Sequence, residues 1–102
     1  MNDAKSSSFD AIALQDDDSV ATVIRPVQAG SRVRVQCPGG LVEINALDDI
    51  ALCHKVAIVV IDVNEPVMKH GQTIGRATQP IAVGRHVHIH NLIGRDPADC
   101  LS

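Results

Sequence analysis

The chain has 102 residues, a net charge of −3 and 45% hydrophobic residues, and a single phenylalanine is its only aromatic residue. This length and composition predict one domain whose core is aliphatic. Nucleic-acid binding is disfavoured, because there is no basic stripe and almost no aromatic surface on which bases could stack. No stretch approaches the roughly 20 apolar residues of a membrane span.

The cysteines and the N-terminus indicate the compartment. Three cysteines form no C-x-x-C pair, and the first residues are polar, without the apolar segment of a secretory signal. We therefore expect a reduced, cytoplasmic protein with free thiols.

The first half of the chain predicts short strands joined by turns. A polar, serine-rich segment at 1–8 is expected to be disordered. Asp16 to Asp18 is interpreted as a solvated turn in preference to a cation site, and one helical turn is conceivable at 46–53. A Pro-Gly-Gly turn at 38–40 joins two strands as a hairpin. The predicted strands are 9–14, 20–24, 32–36 and 41–44.

The second half contains the most apolar run, residues 55–62. Its unbroken Val and Ile content predicts a central strand buried on both faces. Gly71 and Gly75 follow in a turn-rich stretch and imply either a positive φ or a close approach to other atoms. No stretch shows helical periodicity over three turns. The prediction is an all-β fold of the barrel or clip kind, with one domain at 9–93 and a loose tail at 94–102.

Residues 84–91 read Gly-Arg-His-Val-His-Ile-His-Asn, with histidines at a spacing of two. In an extended strand His86, His88 and His90 would share one face, and Val87 and Ile89 would point into the core. Two interpretations remain open. In the first, the histidines are metal ligands, because imidazoles at this spacing can converge on one ion. In the second, they line a polar face and bond to backbone carbonyls.

Three other positions carry potential chemistry. His54 and Lys55 precede the apolar run, where a lysine neutralises a substrate carboxylate and a histidine moves a proton near neutral pH. The simpler alternative is a lysine in solvent at a strand edge. His70, in a Lys-His-Gly turn, and Glu65, beside the apolar run, have the same two interpretations, functional or surface.

The order of these residues resembles a known family. The stretches are His54-Lys55-Val56-Ala57, Gly71-x-x-Ile74-Gly75-x-Ala77 and Gly84-x-His86-Val87-His88-x-His90-Asn91. They resemble the SAF domain of the altronate and galactarate dehydratases, and they are also similar to the small subunit of sulfolactate sulfo-lyase. The resemblance covers roughly residues 9–93.

The resemblance implies a SAF-type β-clip fold and a lyase that eliminates water or sulfite from a hydroxy acid. It implies a divalent metal (Fe²⁺, Mn²⁺ or Mg²⁺) acting as Lewis acid and held mainly by a larger catalytic subunit. The chain is then expected to be a separate small subunit, inactive alone, that completes the site of that partner. The implied catalytic residues are His54, Lys55, His86 and His88. Lys55, His70 and Asn91 are expected to bind substrate, and His86, His88 and His90 to contact metal.

Three positions depart from the family pattern. Cys53 and His70 stand where the family usually has Gly and Tyr, and Arg85 stands where an acidic residue is common. These changes leave open whether the substrate is altronate, galactarate, sulfolactate or another hydroxy acid. Two other functions compete with the lyase subunit: a stand-alone module that binds metal or a sugar acid, and a purely structural subunit. An edge strand or the histidine face is also a candidate surface for a homo-oligomer.

Overall fold

The computed structural model of the protein describes residues 9–94, which form strands and turns without a helix. This confirms the predicted all-β class. Within this range no helix is long and apolar enough to cross a membrane. The strands are β1 (Ala11–Ile12), β2 (Val20–Val23), β3 (Arg32–Cys37), β4 (Gly40–Asn45), β5 (Lys55–Ala57), β6 (Pro66–Lys69), β7 (Gln72–Ala77), β8 (His86–Val87) and β9 (Leu92–Gly94).

The strands form two sheets. One has six strands in the order β4-β3-β1-β2-β5-β8, and the other has three in the order β6-β7-β9. Strands β1 and β3 pair in parallel, whereas every other strand pair is antiparallel. Strand β8, which begins at His86, is the edge strand of the larger sheet. Its only neighbour in that sheet is β5, so the residues at the start of β5 lie next to the histidine motif.

The hairpin of β3 and β4 shows how the sequence pattern produces the sheet. Val33 and Val35 are fully buried, and Arg32 and Arg34, which alternate with them, point away from the core. Arg34 lies opposite Glu43 in the register, so the outward positions carry opposite charges. The predicted strands at 32–36 and 41–44 are confirmed, each one residue longer at one or both ends.

The core is aliphatic and divides into two clusters. One lies under the larger sheet and includes Val23, Val33, Val35 and Ile50. The other joins the two sheets and includes Val67, Ile81 and Val87. Val87 therefore attaches the start of the histidine motif to this second core cluster.

The apolar run at 55–62 is not the long buried strand that we predicted. Strand β5 ends at Ala57, and Val59 and Val60 are 45% and 65% exposed. Beyond Ala57 the Ile58 N–H still bonds to the Ser19 carbonyl, and the chain then leaves the sheet. The next buried residue is Ile61, which pairs with Ile81 as an isolated bridge. The helical turn considered at 46–53 does not form either.

The histidine motif is also not one extended strand. Strand β8 covers only His86 and Val87, after which the chain turns, with the Asn91 N–H bonded to the His88 carbonyl. Val87 is buried as predicted, but Ile89 is 76% exposed. The prediction that Ile89 packs into the core is therefore wrong, because the alternation of faces ends where the strand ends.

The glycine prediction is confirmed in both of its forms. Gly71 has φ +77°, and a β-carbon on Gly75 would lie 2.2 Å from the Ile93 carbonyl oxygen. Gly84 combines the two: its φ is +94°, and a β-carbon there would lie 2.0 Å from the carbonyl oxygen of Asn45. Only glycine fits such positions.

The turn at Asp16 to Asp18 is solvated only in part. Asp16 and Asp17 are exposed, whereas Asp18 is only 4% exposed and accepts hydrogen bonds from the backbone of Leu14, Gln15 and Gly71. The predicted tails at 1–8 and 95–102 lie outside the described residues. Gly94, which we assigned to the loose tail, ends β9.

Candidate histidine site

Pairing of β5 with β8 brings together two histidines that are far apart in sequence. Val56 lies opposite His86, and Lys55 lies opposite Val87. His54 directly precedes β5, and its Nδ1 lies 2.9 Å from Nε2 of His86, a hydrogen bond in which one ring donates and the other accepts. Histidine spacing within 84–91 gave no signal of this contact, which depends on strand pairing.

His88 completes a group of three imidazoles. Its ring centroid lies 4.5 Å from that of His54 and 5.3 Å from that of His86. One ring nitrogen from each of His54, His86 and His88 lies within 4.8 Å of the others, and all three residues are half-buried. We call these three residues the histidine cluster.

His90 lies beside the histidine cluster and is not part of it. Its ring centroid is 5.4 Å from that of His86, at an inclination of 41°. With Arg85 and Asp48 it lines a neighbouring cavity of about 350 Å³. The structure therefore joins His54 to His86 and His88, where the strand pattern had suggested His90.

Asn91 holds the turn that carries the cluster. This residue is 5% exposed; its Oδ1 accepts from the His88 N–H, and its Nδ2 donates to the His86 carbonyl. A buried amide that uses both its donor and its acceptor fixes the backbone on either side of Val87. These bonds show a structural role for Asn91, and the substrate binding that the sequence predicts for it stays a prediction.

Asp48 is a site residue that sequence reasoning missed. Its Oδ2 accepts from the His86 N–H, and its Oδ1 lies 3.0 Å from the Arg85 guanidinium. The His86 N–H, ahead of Arg85, holds the pKa of the Asp48 carboxyl below its usual value. Asp48 lies in an irregular acidic loop, where no local pattern distinguishes it from Asp49.

Lys55 is a buried cation at the site. It is only 9% exposed, which excludes a lysine lying in solvent at a strand edge. Its charge reaches His88, since it is one cause of the lowered pKa of that imidazole. Burial places Lys55 where an anionic ligand would be attracted strongly, because charges interact more strongly in a less polar environment.

The environment keeps two members of the histidine cluster neutral. Burial, followed by the positive charge that His54 can carry, lowers the pKa of His86 from 6.5. Burial and His54 also lower the pKa of His88, with Lys55 and His90 contributing. Near neutral pH each of these imidazoles therefore keeps an unprotonated ring nitrogen, the form that accepts a proton or binds a metal.

The remaining predicted residues lie elsewhere. His70 is exposed in the β6–β7 turn, beside Gly71 and the Asp18 carboxylate. Glu65 accepts from the Asp62 N–H in an exposed turn. Neither residue belongs to the groups that the structure brings together around His54 among residues 9–94, so the substrate-binding role of His70 remains a prediction.

Two departures from the family pattern coincide with unusual backbone. Cys53 has φ 72° and His70 has φ 55°. Cys53, where the resemblance leads us to expect glycine, therefore adopts a conformation that glycine takes without strain. The third departure, Arg85, is paired with Asp48.

The fold and site define a small β-domain with imidazoles and a buried amine at one edge, and comparison with known proteins assigns it to a family. Residues 9–95 match the family model described as the altronate/galactarate dehydratase SAF domain. The chain belongs to this family.

Individual relatives are longer enzymes and separate subunits. The chain is 36% identical over 80 residues to altronate dehydratase of Bacillus subtilis strain 168. The aligned region is 78% of this chain but only 15% of that protein. It is 34% identical over 88 residues to (2R)-sulfolactate sulfo-lyase subunit alpha of Chromohalobacter salexigens, covering 83% of this chain and 94% of that subunit. Altronate dehydratase of Escherichia coli K12 is 35% identical over 74 residues, 72% of this chain and 14% of that protein.

Proposed function

We propose that this chain is the SAF subunit of a carbon–oxygen lyase that dehydrates a sugar acid such as altronate or galactarate. The observation that carries the proposal is the histidine cluster together with the buried residue Lys55, whose charge acts on His88. The chain spans about 15% of an altronate dehydratase, which supports a site completed by a larger catalytic subunit. A cytoplasmic setting belongs to the same proposal and is consistent with the free thiols of Cys37 and Cys53.

The residues of the site would supply a base, an acid and a positive charge that attracts the substrate. A neutral His86 or His88 accepts the proton from the carbon next to the substrate carboxylate, and Lys55 attracts that carboxylate. The C–O bond at the next carbon breaks, and His54, once protonated, donates to the leaving hydroxyl, which departs as water. The resulting enol loses its hydroxyl proton and takes up a proton at the carbon that lost the hydroxyl group, which gives the 2-keto acid.

A divalent metal fits the donor set, because ring nitrogens of three histidines lie close together. His54, His86 and His88 are the residues of this chain that could hold it, and with their ring nitrogens on the ion the roles of acid and base would pass to groups of the partner subunit. When bound, it would act as a Lewis acid on an oxygen of the substrate. The remaining ligands and most of the substrate pocket are assigned to the partner subunit.

The second candidate is the subunit of a sulfo-lyase that eliminates sulfite from sulfolactate. It is favoured by one observation: the chain matches 94% of the length of a sulfo-lyase subunit alpha, so the two chains are comparable in extent. The same residues would act, with a C–S bond broken in place of a C–O bond. A binding module without turnover is the third candidate.

The test starts with purification of the chain from its native lysate together with any large polypeptide that accompanies it in constant ratio. The complex is then assayed for 2-keto acid formation from altronate and galactarate, and for sulfite release from sulfolactate. We expect turnover only in the complex, and its loss in His86→Ala and His88→Ala with assembly intact.

Each alternative predicts a different result. Variants that assemble and turn over normally would leave a structural subunit. A chain that elutes alone and is inactive on all three acids would favour the binding module. Self-association through the histidine face or the exposed edge of β4 stays a prediction, and sedimentation showing only monomer would remove it.

A further inference from the structure

We infer that His54, His86 and His88 form a three-histidine site for a divalent transition-metal ion on this subunit itself. This inference rests on the proposed function, which names the three residues as part of a metal site in the complex, and deepens it: the three residues bind the ion without any partner, which can be tested on the isolated chain. It also replaces the ligand set His86, His88 and His90 that the sequence suggested.

The spacing of the nitrogens suits one ion. Metal–imidazole bonds of about 2.1 Å place neighbouring ligand nitrogens about 2.9 to 3.4 Å apart. Nδ1 of His54 and Nε2 of His86 are already 2.9 Å apart. All pairs in the cluster lie within 4.8 Å, so binding one ion requires rotation of the half-buried rings until the wider pairs also reach about 3.4 Å.

The hydrogen bond between His54 and His86 marks the position of the ion. In this bond one ring nitrogen donates its proton and the other accepts it, so the two nitrogens face each other. An ion about 2.1 Å from both nitrogens takes the place of this proton to one side of the line that joins them, and it accepts a lone pair from each ring once the rings turn toward it. The His88 ring, 4.5 Å from His54 between centroids, supplies the third nitrogen.

The backbone around the cluster is held before any ion binds. Asn91 bonds to the backbone on both sides of Val87, and Asp48 bonds to the N–H of His86. His54 is fixed by its own carbonyl, which accepts from the Val23 N–H, and by its N–H, which donates to Ala51. Ligands on a fixed scaffold lose little conformational freedom on binding, which favours affinity.

The donor chemistry selects the class of ion. Imidazole nitrogens suit Zn²⁺, Fe²⁺, Co²⁺, Ni²⁺ and Cu²⁺, whereas Mg²⁺ and Ca²⁺ prefer oxygen ligands. Three protein ligands also leave at least one coordination position for water or for an oxygen of a hydroxy acid. The inference therefore predicts Zn²⁺ or Co²⁺ binding at one site, with no comparable binding of Mg²⁺.

The test is a titration of the isolated full-length chain with Co²⁺, followed by its visible absorption, and with Zn²⁺, followed by calorimetry. We expect one ion per chain. His54→Ala and His88→Ala should each bind at least about 100-fold more weakly, since even the loss of a group that supports a ligand costs 10- to 100-fold. His90→Ala and His70→Ala are matched controls, one beside the cluster and one remote from it, and should bind as the unaltered chain does.

The inference fails if the unaltered chain does not bind Zn²⁺ or Co²⁺, if His54→Ala binds normally, or if His90→Ala loses binding. Thermal unfolding of each variant shows whether the fold is intact. If His54→Ala does not fold, His54→Gln, which retains much of the bulk, takes its place. No lyase activity enters the measurement, so its failure leaves the proposed function untouched, and failure of the lyase assay leaves this inference untouched.

Discussion

Two turns of this small domain each carry a histidine and are each held by one buried polar side chain, yet only one of the two belongs to the candidate histidine site. At the β6–β7 turn, the Asp18 carboxylate accepts from the Gly71 N–H, and it also accepts from the N–H groups of Leu14 and Gln15 in its own turn. In the turn after β8, Asn91 accepts from the His88 N–H and donates to the His86 carbonyl. The anchor is similar in both turns, and the surroundings differ.

The difference lies in what sheet pairing places opposite each turn. Opposite the Asn91 turn is the start of β5, which contributes His54 and Lys55. Beside the Asp18 turn are backbone groups and the aliphatic part of Gln15, which lies 3.1 Å from the β-carbon position of Gly71. The turn held by Asn91 is a candidate site because a second strand brings a histidine and a lysine next to it. The following predictions test this difference between the two turns.

The largest loss of stability is expected for Asp18→Ala. Three backbone donors lose a charged acceptor, which we expect to cost about 2 to 3 kcal/mol of unfolding free energy. Urea unfolding measures this loss. Asp17→Ala, in the exposed neighbouring position, should change little, and the affinity for Co²⁺ should not change in either variant. A large loss of Co²⁺ affinity in folded Asp18→Ala would show that the two turns are coupled.

Asn91→Ala should cost somewhat less stability and, unlike Asp18→Ala, should affect the histidine cluster. Loss of two hydrogen bonds is expected to cost about 2 kcal/mol, and Co²⁺ affinity should fall about tenfold because the ligand backbone is no longer held. Gln79→Ala, an exposed residue near His90, is the control. Unchanged Co²⁺ affinity in a folded Asn91→Ala chain would mean that the amide does not position the ligands.

The pH dependence of stability should come from the histidine cluster. His86 and His88 have pKa values below the ordinary 6.5, so between the folded and unfolded values the unfolded chain binds more protons. Stability is therefore full above about pH 6.5 and falls as the pH drops through the folded values. Urea unfolding of the chelator-treated chain across this range measures the effect.

The pH dependence should flatten in His86→Gln/His88→Gln, whereas His70→Ala should leave it unchanged. Asp48 contributes separately, because its lowered pKa acts only below its ordinary value of 3.8. A stability profile that is identical with and without the two histidines would contradict their assignment as the acid-sensitive groups.

The smallest effect concerns two thiols, one beside each turn. Burial, together with the negative charges of Asp16 and Asp18, raises the pKa of Cys37, whereas Cys53 is exposed next to His54. Because the thiolate is the reactive form, Cys53 should be alkylated by iodoacetamide faster than Cys37. Mass spectrometry of a Cys100→Ser chain follows both sites, and equal rates would contradict the prediction.

The sequence predicted what depends on local alternation and on glycine. The β3–β4 hairpin, the buried Val87 and the constraints at Gly71 and Gly75 were all recognisable, because each follows from neighbouring residues. The family resemblance then supplied the expectation of a lyase and placed His54, already noted for its position before the apolar run, in one motif set with His86 and His88.

What the sequence missed depends on contacts between distant residues. An apolar run does not show which valines are covered, and Val59 and Val60 are exposed because the chain leaves the sheet after Ala57. The proximity of His54 and His86 arises from pairing across 32 positions. Asp48 accepts from the backbone of β8, and no residue near it in sequence indicates that bond.

The close approach at Gly84 also determines how the histidine turn can move. Gly84 donates to the Ala57 carbonyl, accepts from the Leu47 N–H, and leaves no space between itself and the Asn45 carbonyl. Opening the segment that leads into β8 therefore separates three stretches of backbone at once. Amide hydrogen exchange at Leu47 should then occur in the same cooperative opening as exchange at His86, so the site should be lost as a unit with its scaffold and not by independent fraying of its loop.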